Sequence, residues 1–123
     1  MDRGQALTGA LEAVDRLVNR GGEADDVLRG VVQVLRQRVA YRFVGIAFVE
    51  GDGLELGPAA GKPGGETANF AIAFEGRLVG ELRVYPGPDD ASEESSLQRI
   101  ATLVSPYCLV GWDTGGVPWP EVS

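Results

Sequence analysis

Few side chains in this sequence are of the types that usually perform chemistry. None of its 123 residues is histidine, so the commonest metal ligand and the commonest general base at neutral pH are missing. Cys108 is the single cysteine, which leaves no Cys-His nucleophile and no internal disulfide. Its place on the apolar side of a predicted helix favours a buried, structural thiol. The sequence therefore predicts no enzymatic activity and no catalytic residue.

One acidic segment and one glycine-rich segment contain residue types that could form a binding site. Asp89, Asp90, Glu93 and Glu94 lie close in sequence, and their carboxylates would suit calcium or magnesium. A capping box and a favourable helix dipole explain the same four residues. The segment GKPGG at residues 61–65 has the composition of a phosphate loop but lacks its spacing and its Ser or Thr after lysine. We therefore predict no metal site and no cofactor.

The charge balance excludes several classes of partner. Eighteen acidic against eleven basic side chains give a formal net charge of -7, which repels nucleic acid and anionic membranes. No segment has the run of about 20 apolar residues that a spanning helix needs, and no secretory signal is present. A cytoplasmic location is therefore expected. A local cluster of arginines is interpreted as a solvated helix face; it comprises Arg29, Arg36, Arg38 and Arg42.

Two amphipathic helices are predicted at the start of the chain. Residues 1–20 carry apolar side chains three or four positions apart and end at two glycines. Residues 24–39 form the second helix, in which Val32 and Val39 widen the apolar stripe beyond that of a simple surface helix. We expect the second helix to pack on more than one side.

Residues 42–85 are predicted to form a four-stranded sheet made of two hairpins. Pro58 is expected to end the return strand of the first hairpin. The glycines and proline of residues 59–66 predict a connecting loop without a helix. The predicted strands cover residues 43–49, 54–56, 69–74 and 77–85.

A third helix is predicted over residues 90–112, with an interruption at Pro106. A single domain would then cover residues 1–112, and the glycine- and proline-rich residues 113–123 would form a tail. Trp112 and Trp119 lie in or beside this tail. They are expected to dock either on their own domain or on a partner.

Two segments resemble the beginning and the end of a GAF domain. VLRGVVQVLRQRVAYRFVGIAFVEGDGLEL, from residue 27, is similar to the family's apolar helix and the central strand that follows it. FEGRLVGELRVYPGPDDASEESSLQRIATLVSPY, from residue 74, is similar to its closing hairpin, acidic stretch and terminal helix. The resemblance implies an α+β, PAS/profilin-like fold. Its antiparallel sheet would have the order 2-1-4-3, with the N-terminal and C-terminal helices packed on one face.

The middle of the chain departs from the family pattern. GAF domains that bind small molecules place further strands and helices between the two hairpins, and about eleven glycine-rich residues are too few for these. The motif of the cyclic-nucleotide members has no counterpart here. We expect no enclosed ligand cavity bounded by residues 59–68. Any ligand is expected on the free sheet face, at Glu81, Arg83 and Tyr85.

The resemblance implies a non-enzymatic regulatory or signal-transduction module. We expect it to act through protein-protein association; the alternative is a small-molecule sensor that uses the free sheet face. Because the chain starts at Met1 and contains no kinase, phosphodiesterase or DNA-binding segment, its output is expected in another signalling protein.

A homodimer is also predicted, because both terminal helices carry surplus apolar residues. The competing explanation is that the first helix covers Leu103 and Tyr107 within one chain. The predicted dimer interface comprises Leu7, Leu11, Val14, Val18, Leu103, Tyr107 and Val110.

Overall fold

The computed structural model describes residues 3–108, with side chains from residue 5 onward. The helices in this span are α1 (Arg3–Arg20), α2 (Ala24–Arg38) and α3 (Ala91–Val104), and a short 3-10 turn, Ser105–Cys108, follows α3. The strands are β1 (Phe43–Glu50), β2 (Gly53–Gly61), β3 (Ala68–Phe74) and β4 (Arg77–Tyr85).

The four strands form one antiparallel sheet in the order β2-β1-β4-β3. Helix α2 contacts β1 and β2, α3 contacts β3, and α1 packs against both of these helices. The predicted α+β fold and strand order are therefore confirmed. Val32 and Val39 are 3% and 4% exposed, which agrees with the expectation that the second helix packs on more than one side.

The core lies between the helices and one face of the sheet. Val44, Ile46 and Phe48 alternate along β1 and belong to this core. Gly80 of β4 pairs with Phe48, and a Cβ atom at Gly80 would collide with the backbone oxygen of Ala47. The glycine inside the last strand is thus explained by the close approach of the central strand.

Strand β2 is longer than predicted. It continues through the buried Pro58 to Gly61, so the prediction that Pro58 ends the strand is wrong. Gly57 and Pro58 together lie opposite the single residue Ile46, where the register shifts. A bulge in an edge strand accommodates proline because no ladder hydrogen bond from its nitrogen is required there. The connecting loop shortens to residues 62–67, which contain no helix, as predicted.

The last α-helix ends just before Pro106, where the sequence predicts an interruption, and residues 109–112 of its predicted range lie outside the described residues. It ends at Val104 and tightens into the 3-10 turn that contains Pro106, because proline removes a backbone donor and clashes with the preceding turn. The predictions for Val110, Trp112 and Trp119 lie outside the described residues.

A buried polar contact joins the start of α3 to the segment before β1. Asp90 caps α3, since its side chain accepts a 2.8 Å hydrogen bond from the backbone N–H of Glu93. The Glu93 carboxylate, which is 2% exposed, accepts from the backbone N–H of Asp89 at 2.8 Å and from the Tyr41 hydroxyl at 2.5 Å. Of the four acidic residues considered above, Asp90 thus contributes a helix cap and Glu93 a tertiary contact.

Two further side chains connect helices to neighbouring backbone. Tyr107 donates from its hydroxyl to the backbone oxygen of Val18 at 2.9 Å, and so satisfies a carbonyl in the last turn of α1. Gln98 of α3 donates to the backbone oxygen of Ala71 in the edge strand β3 at 3.0 Å. The first contact joins α1 to the 3-10 turn, and the second joins α3 to the sheet.

Candidate functional site

The sheet face opposite the helices, called here the outer face, brings the three predicted ligand residues together. Glu81, Arg83 and Tyr85 alternate with buried residues along β4 and are all partly exposed. Their cross-strand partners on β1 are, respectively, Ala47, Gly45 and Phe43. The expected common face for the three polar side chains therefore exists.

Two of these residues bind each other. The Nε atom of Arg83 lies 2.8 Å from Oε1 of Glu81, and the side chains are 28% and 23% exposed. This half-buried pair satisfies part of the hydrogen-bonding capacity of both groups. A ligand that used either group fully would have to compete with the existing ion pair.

Tyr85 is covered by the connecting loop. A Cβ atom on Gly64 would lie 3.0 Å from the Tyr85 hydroxyl oxygen, and one on Gly65 would lie 3.4 Å from the ring. The guanidinium carbon of Arg42 lies 5.9 Å from the ring centroid, within the range of a cation-π contact. The glycines of this loop therefore allow its backbone to lie close to an aromatic ring.

The surface beside these polar residues is filled by apolar side chains. A Cβ atom on Gly45 would meet Phe43 Cζ at 2.9 Å and Leu56 Cδ1 at 3.0 Å. Ala47 is fully buried although it faces outward, whereas Leu56 is 49% exposed. The centre of the outer face is thus a packed surface with an exposed leucine, and the space above Gly45 is occupied by the chain itself. The absence of an enclosed ligand cavity bounded by residues 59–68 stays a prediction.

The residues proposed for a dimer interface have different environments. Leu7 and Val14 are fully buried in the core of the same chain, so they cannot face a second copy without opening that core. The remaining described members, Leu11, Val18, Leu103 and Tyr107, are partly buried and pack against the same core. This arrangement agrees with the alternative that α1 covers α3 within one chain, and the interface hypothesis is corrected accordingly for Leu7 and Val14.

The arginines interpreted as one solvated helix face separate in the structure. Arg29 pairs with Asp25 at 2.9 Å, Arg36 donates to the backbone oxygen of Tyr41 at 3.2 Å, and Arg42 lies over Tyr85. Arg38 instead lines an open groove of about 370 Å³ between α1 and α2, together with arginines of α1. Sequence reasoning missed this groove because it depends on how two helices pack.

The thiol of the single cysteine in the sequence is buried. Cys108 is 1% exposed, and burial raises the pKa of its thiol from 9.0 to about 12. Among residues 3–108, no group of three or more cysteine, aspartate or glutamate side chains could hold a metal ion. No helix in the same span has the length and apolar character needed to cross a membrane.

Solved structures of low sequence identity share this arrangement. The GAF domain of Acinetobacter phosphoenolpyruvate-protein phosphotransferase aligns with a TM-score of 0.72 and 13% identity over 96% of this chain and 100% of that one. The corresponding GAF domain from Coxiella burnetii gives 0.73 and 13% over 94% and 100%. Free methionine-R-sulfoxide reductase from Neisseria meningitidis, solved with its substrate, gives 0.73 and 16% over 88% and 91%. No protein-family model and no curated protein matches the sequence.

Proposed function

Because the chain has the fold of GAF domains, we propose that it is a non-enzymatic regulatory module that acts by associating with another protein or with a second copy of itself. The fold alone does not decide this, since an enzyme is among the proteins that share it. The proposal therefore rests on the chemistry and packing of this chain's own residues.

The packed outer face is the observation that carries the proposal. Phe43 and Leu56 occupy the space above Gly45, and Glu81 and Arg83 pair with each other. A small-molecule site needs a concavity with a few available polar groups, whereas a protein interface needs exposed apolar surface with a polar rim. Leu56, half exposed beside these residues, fits the second description.

A small-molecule sensor is the second candidate. It is favoured by one observation, the common position of Glu81, Arg83 and Tyr85 on the outer face. A ligand there would replace the Glu81-Arg83 ion pair with its own polar contacts and displace residues 64 and 65 from the Tyr85 ring.

Site-specific photo-crosslinking in the native host would test the leading proposal. A photoreactive phenylalanine derivative would be placed at Leu56, at Leu78, which is also 49% exposed, or at Arg99, a control exposed on α3. We expect one discrete crosslinked species from Leu56 and none from Arg99. Mass spectrometry would show whether that species is a second copy or another protein.

Two results would contradict protein association. One is that neither Leu56 nor Leu78 gives a discrete adduct, or that Arg99 gives the same one, although the crosslinker is incorporated and the chain is folded. The other is a small molecule retained by the native protein and lost in Arg83→Gln, which would support the sensor. Light scattering would check self-association separately, because an isolated chain has a mass of 13.0 kDa.

A further inference from the structure

The groove between α1 and α2 has an apolar floor and a basic rim. Leu17 Cδ1 lies 3.2 Å from the position that a Cβ atom on Gly30 would take, so a larger residue at position 30 would require the Leu17 side chain to shift. The groove measures about 370 Å³. It is lined by Ala13, Arg16, Leu17, Arg20, Gly30, Val34 and Arg38.

The three arginines of this groove differ from others in the chain. Arg29 has a carboxylate partner at 2.9 Å and Arg83 has one at 2.8 Å. For the three guanidinium groups of the groove, the described residues provide no ion pair. All three are exposed, and they form a local concentration of positive charge on a chain whose net charge is -7.

The helix dipole explains the positions of only two of these three arginines. Arg20 and Arg38 lie in the last turns of α1 and α2, where a cation interacts favourably with the helix dipole. Arg16 lies one turn earlier and gains little from that effect, which falls off within the last turn. Its position adds a third like charge to the groove, and an anionic group bound there would relieve the mutual repulsion.

From the floor and the rim together, we infer that the α1-α2 groove binds an acidic, amphipathic helix of a protein partner. Guanidinium groups pair with carboxylates through directed hydrogen bonds. Leu17 and Val34 are partly buried, and apolar side chains of a bound helix would cover their remaining exposed carbon. A free inorganic anion would leave this carbon uncovered, and two copies of a chain with a net charge of -7 would repel each other as whole molecules. The inference rests on the proposed role in protein association.

The groove has the dimensions of a short helical contact. From Ala13 to Arg20, α1 rises by about 10 Å, or two turns. A partner helix would therefore place two successive carboxylates near Arg16 and Arg20, and a third near Arg38 from its other side. Ion pairs at the rim would orient the partner helix, and apolar contacts would fill the centre of the groove. Because the ion pairs are exposed, added salt should weaken binding of the helix.

Binding of a defined peptide to the full chain would test the inference. The probe is a fluorescent helical peptide of about 15 residues, with leucines on one face flanked by glutamates, and its matched control has glutamine for every glutamate. We expect the glutamate peptide to bind and Arg16→Gln with Arg20→Gln to weaken it by about tenfold or more. Arg29→Gln, outside the groove, is the matched protein control and should leave the affinity for the glutamate peptide unchanged.

Several outcomes would overturn the inference. They are equal binding of the glutamine peptide, an equal loss in Arg29→Gln, complete competition by pyrophosphate, or loss of self-association in the groove variants. The first two exclude recognition by these arginines, the third indicates a free anion, and the fourth a second copy. The photo-crosslinks from Leu56 report on association at the outer face, so they would persist if only the groove inference failed.

Discussion

The Tyr41 hydroxyl donates a 2.5 Å hydrogen bond to Oε2 of Glu93, although 52 residues separate the two in sequence. Tyr41 is fully buried and Glu93 is 2% exposed. A buried carboxylate is costly to desolvate unless donors surround it, so this contact holds the start of α3 against the segment that leads into β1.

Tyr41→Phe should therefore destabilise the chain by about 1 to 3 kcal/mol, because a buried acceptor loses a donor while the ring packing is retained. Urea unfolding at neutral pH would measure the change. Gln37→Ala on the exposed side of α2 is a suitable control, since its partner Gln33 lies at the surface. If the free energy of unfolding fell by the same small amount in both variants, the hydrogen bond between Tyr41 and Glu93 would contribute little to stability.

Cys108 should react slowly with thiol reagents in the native state. Burial raises its pKa to about 12, and the thiolate is the reactive form. The labelling rate should rise steeply in urea as the core opens. Cys108→Ala should cost about 1 kcal/mol or more through lost packing. Rapid labelling without denaturant would contradict this account.

The raised pKa of Cys108 also predicts how the stability of the fold changes at alkaline pH. The folded-state pKa of Cys108, about 12, lies above its usual value of 9.0, so between these values only the unfolded chain releases the proton. The contribution of the neutral thiol is therefore complete below pH 9.0 and declines as the pH rises toward 12. The free energy of unfolding of the wild type and of Cys108→Ala, measured between pH 9.0 and 12, would isolate the contribution of the thiol. If the difference between the two proteins did not change with pH, the predicted loss would be contradicted.

Gly80→Ala should destabilise the sheet strongly, by about 2 kcal/mol or more, because the added methyl group would meet the backbone oxygen of Ala47. Gly53→Ala is the matched control, since a Cβ atom at that residue would have no neighbour within 4 Å. The thermal unfolding temperatures of the two variants would test this difference in stability. Similar transition temperatures would mean that the sheet can adjust at Gly80.

The chain should not reduce free methionine-R-sulfoxide, even though a reductase of that substrate shares its fold. Its only cysteine is buried, and there is no second cysteine with which to form an intramolecular disulfide. Incubation with the sulfoxide and dithiothreitol, with the Neisseria meningitidis enzyme as a positive control, would test this. Turnover that disappears in Cys108→Ala would refute the prediction.

Local signals in the sequence predicted most of the fold. Apolar spacing of three and four residues located α1 and α2, and the Asp90-Glu93 spacing located the start of α3. Pro58 was misleading because the usual incompatibility of proline with a sheet does not apply at a bulge in an edge strand. Such a bulge is defined by the register with β1, where two residues of β2 lie opposite Ile46, and not by the local sequence.

The candidate sites were less predictable because they depend on tertiary packing. Alternation along β4 correctly placed Glu81, Arg83 and Tyr85 on one face, but it could not show that Phe43 and Leu56 fill the adjacent space. The groove was missed for a related reason, since Arg16 and Arg38 belong to different helices and line one groove only when Leu17 packs over Gly30.

The two outer strands of the sheet are also protected against polymerisation. An exposed strand edge is a template on which other chains can add, as in amyloid growth. In β2 the bulge at Gly57 and Pro58 interrupts the regular edge, and in β3 the Gln98 side chain occupies the backbone oxygen of Ala71. Without these two features, both strand edges would be regular and open to pairing, and the chain would be more prone to form fibrils in a crowded cell.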